Sequence, residues 1–73
     1  MEPENVLINT QTIQLDQFLK WSGAAASGGE AKTMTENGLV SVNGVVVSER
    51  RKKLQPGDLV IVGGIGSYRV VGG

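Results

Sequence analysis

SGGEAKTMTENGLVSVNGVVVSERRKK, residues 27–53, contains a helix start, a helix stop, a hairpin and four consecutive cations. Ser27 followed three residues later by Glu30 is a capping box. The hydroxyl accepts from the Glu30 N–H, and the carboxylate reaches back to the Ser27 N–H. Ala26 and Ala31 occupy the hydrophobic-staple positions on either side of the cap. The helix should run to Asn37, where Gly38 supplies the left-handed residue that ends it. Beyond Gly38 the period drops to two. Val40 and Val42 alternate with Ser41, Asn43-Gly44 follows, and Val45 and Val47 return the same alternation, which is the signature of a type I′ hairpin. A two-residue loop pairs Val42 with Val45 and Val40 with Val47, so that Ala31 and Met34 of the helix can cover four valines. The run Arg50, Arg51, Lys52, Lys53 then leaves the hairpin beside this helix.

Upstream, Leu15, Phe18 and Leu19 recur at i, i+3 and i+4. Asp16 lies near the positive end of the dipole, Lys20 near the negative end, and Gly23 is the stop. This predicts a first helix of roughly two turns, joined to the Ser27 cap by Ala24, Ala25 and Ala26. Val6–Ile8 and the β-favouring Thr10, Thr12 and Ile13 predict one or two short extended segments before it. Met1–Asn5 reads as a frayed end. Downstream, Gln55-Pro56-Gly57-Asp58 is a turn in which proline sets the first central angle and glycine permits the second. Leu59–Val62 and Tyr68–Val71 are strands joined by a glycine-rich connection. The expected fold is α+β: two short helices packed on one face of a small, mainly antiparallel sheet that contains the Asn-Gly hairpin.

A chain of 73 residues has room for one domain, 1–73, near the size at which a core only just outweighs chain entropy. Forty per cent apolar residues favour a globule over disorder, and the eleven glycines call for many turns. Seven basic and seven acidic residues cancel, so net charge alone points to no nucleic-acid partner. The distribution is uneven, however, and concentrates one cationic patch at residues 50–53. No run approaches the ~18 apolar residues of a membrane span, and no signal peptide is evident. With no cysteine to require an oxidising compartment, a cytoplasmic location is expected.

Zero histidines and zero cysteines remove the usual proton shuttle, the thiolate nucleophile and the common zinc ligands. The carboxylates are scattered. Ser27 is better used as a cap than as a nucleophile, and Gly28-Gly29 lacks the lysine and hydroxyl of a nucleotide loop. The expectation is therefore a protein that is not an enzyme and has no cofactor, no metal and no small-molecule substrate.

The order LDQFLK, SGGEAK, ENGLVSVNGVVV, basic run, PGD resembles the S-four domain family, the RNA-binding domain named after ribosomal small-subunit protein four. The resemblance covers residues 13–62, and the short stand-alone bacterial members are the most similar. It implies the alpha-L motif and binding to structured RNA, ribosomal or transfer RNA, with the two helices and the following hairpin forming the contact surface; a monomer is expected. By position, Lys20, Ser27, Glu30, Lys32 and Thr33 match the family's contact helices. Asn43, Arg50, Arg51 and Lys52 match its hairpin and basic segment, and Lys53 extends that segment. Gly28 departs from the pattern, because many members carry a basic residue there that contacts phosphate.

Each functional reading has a plainer rival. The basic run reads otherwise as a solvated loop, Lys32 as the i+4 partner of Glu36, and Glu30 as a capping carboxylate only. Trp21 is expected in the core of a chain so poor in aromatics; exposed, it would stack on an unpaired base. A terminal Gly72-Gly73 with a VNG hairpin also resembles small β-grasp sulfur carriers, which open with a β-hairpin and have one principal helix. A protein-interaction module using the apolar sheet face is the remaining alternative.

Overall fold

In the computed structural model, which describes residues 3–72, the Asn-Gly turn forms as its sequence requires. Asn43 and Gly44 both take positive φ, 52° and 85°, so the turn twists with the strands it joins. Around it run β1 (Glu4–Ile8), β2 (Ile13–Gln14), α1 (Leu15–Trp21), α2 (Gly28–Glu36), β3 (Val40–Val42), β4 (Val45–Val46), β5 (Lys53–Leu54), β6 (Leu59–Val62) and β7 (Gly66–Gly72). Two helices precede the hairpin, which meets the expected order and removes the β-grasp alternative with its single principal helix.

Both helices end where glycine permits. At α2 the Gly38 N–H donates to the Thr35 carbonyl at 3.2 Å and the Leu39 N–H to the Met34 carbonyl at 3.1 Å, a Schellman pair. At its start the Glu30 N–H donates to Ser27 Oγ at 3.2 Å, the forward half of the capping box. The hydrophobic staple does not form, because Ala31 is buried while Ala26 stays in solvent.

Five strands make one sheet in the order β1-β7-β6-β3-β4, and β2 pairs with β5 in a separate two-stranded ribbon. The ladders β3–β4, β3–β6 and β6–β7 are antiparallel. The β1–β7 ladder is parallel and aligns Val6 with Val70, so the beginning of the chain is built into the same sheet as its end. Glu4 and Asn5 are therefore strand residues rather than a frayed end; Met1 and Glu2 lie outside the described residues. The inner face carries Ile8, Val40, Val42, Val60, Val62, Tyr68 and Val70. Leu15, Phe18, Leu19, Ala31 and Met34 of the helices and Leu54 of the ribbon join these residues in one core cluster.

Two residues depart from expectation. Val45 lies on the inner side of the sheet yet is 65% exposed, because β4 is a two-residue edge strand beyond the cover of the helices. Trp21 is 62% exposed rather than core: the stripe of Leu15, Phe18 and Leu19 already fills the buried side of α1.

Candidate nucleic-acid interface

The basic run is fastened at its backbone. Ile13 pairs with Leu54 and Gln14 with Lys53, and the same antiparallel register continues into the helix, where the Leu15 N–H donates to the Lys52 carbonyl at 2.8 Å. The Asp16 N–H donates to the Arg50 carbonyl at 2.9 Å, and the Lys52 N–H to the Glu49 carbonyl at 3.2 Å. The first N–H groups of a helix have no partner within it, and here the basic segment supplies two of them. Arg50–Lys53 is thus a tied turn that leads into a strand, and the helix it is tied to is α1 rather than α2. Lys53, expected in an irregular stretch, is a β5 residue whose side chain points away from the buried Leu54. Arg51, Lys52 and Lys53 are exposed and Arg50 is half-buried.

The other sequence-selected residues fall into separate groups. Ser27 caps α2, and Glu30, Lys32 and Thr33 stand on its first two turns; all four are exposed. Thr33 Oγ1 donates to the Gly29 carbonyl at 3.0 Å, so its hydroxyl is spent inside the helix. Lys20 occupies the last turn of α1. It lies five positions after Leu15, about 8 Å along the axis, so it sits at the opposite end of α1 from the basic turn.

Asn43 is a brace. Its Oδ1 accepts from the Leu59 N–H at 3.0 Å, and its Nδ2 donates to Asp58 Oδ1 at 3.1 Å. Asp58 in turn accepts the Gln55 N–H at 3.0 Å through Oδ2, which locks the hairpin turn to the Pro56-Gly57 turn. That second turn has the form its sequence demands, with Gly57 at φ 100° and the Asp58 N–H donating to the Gln55 carbonyl at 3.1 Å.

A feature the sequence reading did not assemble lies at the far end of α1. Trp21, Lys20 and Gln17 face the loop between β1 and β2 across a cleft of about 600 Å³ that Asn9, Thr10 and Thr12 also line. Trp21 Nε1 donates to the Leu7 carbonyl at 2.8 Å and ties the indole to β1. The signal was available in the helical spacing, because Gln17 and Trp21 are i and i+4 on the side of α1 opposite Leu15 and Leu19. Thr12 also lines a second groove, this one with Lys52 and Lys53. Among the described residues, no group of three or more histidine, cysteine or acidic side chains is placed to hold a metal, and no helix is long and apolar enough to cross a membrane.

The chain is similar in sequence and in fold to known proteins. A family profile described as S4 domain matches residues 6–71. The chain is 41% identical over 66 residues to "Probable ribosome maturation protein RlbA" of Bacillus subtilis (strain 168), covering 90% of this chain and 93% of that protein. It is also 41% identical over 61 residues to a tyrosine–tRNA ligase of Nitrosospira multiformis, where the match covers 82% of this chain but 15% of the ligase. In three dimensions it superposes on the 30S ribosomal protein S4e of Thermoplasma acidophilum with a TM-score of 0.62 at 29% identity, covering 84% of this chain and 32% of that one. The profile match runs from β1 to β7 and takes in both helices, the hairpin and the tied basic turn, so the chain belongs to the S4 domain family.

Proposed function

We propose that this chain is a non-catalytic RNA-binding module that recognises structured RNA, ribosomal RNA before transfer RNA, as a cytoplasmic monomer. The observation that carries the reading is the tied basic turn. Four cations in a free loop would lose backbone freedom on binding, at roughly 1–2 kcal/mol per residue fixed. Here the bonds from Leu15 and Asp16 hold that backbone before any ligand arrives. Ribosomal RNA is preferred because the relative matched over 93% of its length is named for ribosome maturation, whereas the ligase shares only 15% of its length with this chain. Arg51, Lys52 and Lys53 are the principal phosphate contacts, with Arg50, Lys32 and Lys20 extending the surface along the helices. Ser27, Glu30 and Thr33 act by shaping the start of α2, and Asn43 by holding the hairpin.

The test is electrostatic. Each phosphate neutralised contributes ~0.7 to 0.9 to the logarithmic salt slope of binding. The double variant Arg51→Ala/Lys52→Ala keeps the backbone bonds of the turn and removes two exposed charges. Its slope on ribosomal RNA fragments and on transfer RNA should be shallower by roughly 1.4 to 1.8, with the unfolding midpoint unchanged. An unchanged slope would make the run a solvated loop and leave the family likeness as one of fold without this function.

A further inference from the structure

We propose that the cleft between α1 and the β1–β2 loop receives one unpaired RNA base, stacked on Trp21, with Lys20 on the adjoining phosphate. The inference rests on the RNA-binding reading above and adds to it a site for a single base outside the basic turn. The indole is exposed, yet its orientation is set by the hydrogen bond from Nε1 to the Leu7 carbonyl. A flat aromatic surface already held in place gives up little freedom when a base stacks on it. The opposite wall is braced too, because Thr10 Oγ1 donates to the Thr12 carbonyl at 2.7 Å.

The lining fits a nucleotide better than it fits an apolar peptide. Ile8 and Ile13 make an apolar floor, while Asn9 and Gln17 bring side-chain amides that both donate and accept, as the edge of a base requires. Among the described residues, one cation and no carboxylate line the cleft. Its volume, about 600 Å³, falls within the range of roughly 300–1,000 Å³ typical of small-ligand sites. Thr12 lines both this cleft and the groove that holds Lys52 and Lys53, so a strand whose phosphates lie on the basic turn has a direct path past Thr12 to Trp21.

Trp21 is the only tryptophan in the sequence, so its fluorescence reports on the site directly. The full chain is titrated with an oligoadenylate of about ten nucleotides, within the usual footprint of single-strand binders, with a blunt RNA duplex of equal length, and with inorganic polyphosphate. Saturable quenching by the oligoadenylate, with duplex binding that leaves the emission unchanged, is the expected result. Trp21→Ala should weaken the oligoadenylate roughly 5- to 150-fold, the span that corresponds to losing one stacked base, and spare the duplex. Trp21→Phe keeps a ring and should retain most of the affinity. Should Trp21→Ala lose its fold by circular dichroism, Asn9→Ala/Gln17→Ala replaces two exposed side chains and should weaken the oligoadenylate alone. Duplex binding without any quenching by the oligoadenylate overturns the base site and leaves the RNA-binding reading standing, as does equal quenching by polyphosphate. Failure of both RNAs to bind overturns that reading and the site with it.

Discussion

At Asn43 three requirements meet in one side chain: a left-handed backbone at φ 52°, an acceptor for the Leu59 N–H and a donor for Asp58. Asparagine satisfies all three, because among non-glycine residues it tolerates positive φ and it carries both an amide and a carbonyl. Asn43→Ala should destabilise the protein by about 1–3 kcal/mol, combining backbone strain with two lost hydrogen bonds. Asn43→Gly should recover the backbone part, and Asn43→Asp should do worse than glycine, because it sets a second carboxylate against Asp58. Urea unfolding of the three variants gives the order. If Asn43→Ala kept its stability and lost RNA affinity, the residue would be a contact instead of a brace. Trp21 shows the same division between packing and exposure. Its bond to the Leu7 carbonyl also occupies a main-chain acceptor of β1, the strand at one edge of the sheet.

At the scale of elements, α2 is held at both ends by local chemistry, the Ser27 cap before it and the Schellman bonds after it. Gly28 occupies its first position, and beyond its chain neighbours and its own helix backbone a Cβ built there meets no atom of the described residues within 4 Å. A long cationic side chain can therefore be added without repacking. Gly28→Arg should steepen the salt slope of RNA binding by roughly 0.7 to 0.9 if it reaches one further phosphate. Gly28→Ala separates that effect from helix stabilisation, since it removes the extra backbone freedom of glycine and adds no charge. An arginine variant whose slope matches that of the alanine variant would show that the first turn of α2 lies off the RNA. The basic turn depends on a different device, the β2–β5 ribbon, whose register runs on into the first turn of α1. Any change that breaks this ribbon should therefore loosen Arg50–Lys53.

Over the whole molecule, the parallel β1–β7 ladder joins the two ends of the chain, and Ile8 carries β1 into the core at 2% exposure. A small domain has little stability to lose, on the order of 0.05–0.15 kcal/mol per residue. Ile8→Ala should cost about 2–5 kcal/mol, enough to leave a large unfolded fraction at 37 °C. Thermal and urea unfolding check this, and a loss below about 1 kcal/mol would mean that β1 is dispensable to the core. The same closure positions the candidate base site. The loop that follows β1 forms one wall of the cleft and α1 the other, so a change in β1 that leaves the protein folded should weaken oligoadenylate binding more than duplex binding.

Local sequence determined the two helix spans, the type I′ hairpin with its pairing, the Pro56-Gly57 turn and the positions of β6 and β7. Each depends on residues within a few positions of one another: a hydroxyl three residues before a carboxylate, an Asn-Gly pair between alternating valines, glycines where φ must be positive. The cations were legible as candidates for the same reason, because a run of four needs no fold to be seen. Which helix the run is tied to was not legible, since the bonds from Leu15 and Asp16 span more than thirty residues of sequence. The parallel β1–β7 pairing, the exposure of Val45 at the end of a short edge strand and the cleft beneath Trp21 were likewise decided by tertiary structure. These features arise from non-local pairing and from which surfaces the other elements cover, and neither is written in the spacing of neighbouring residues.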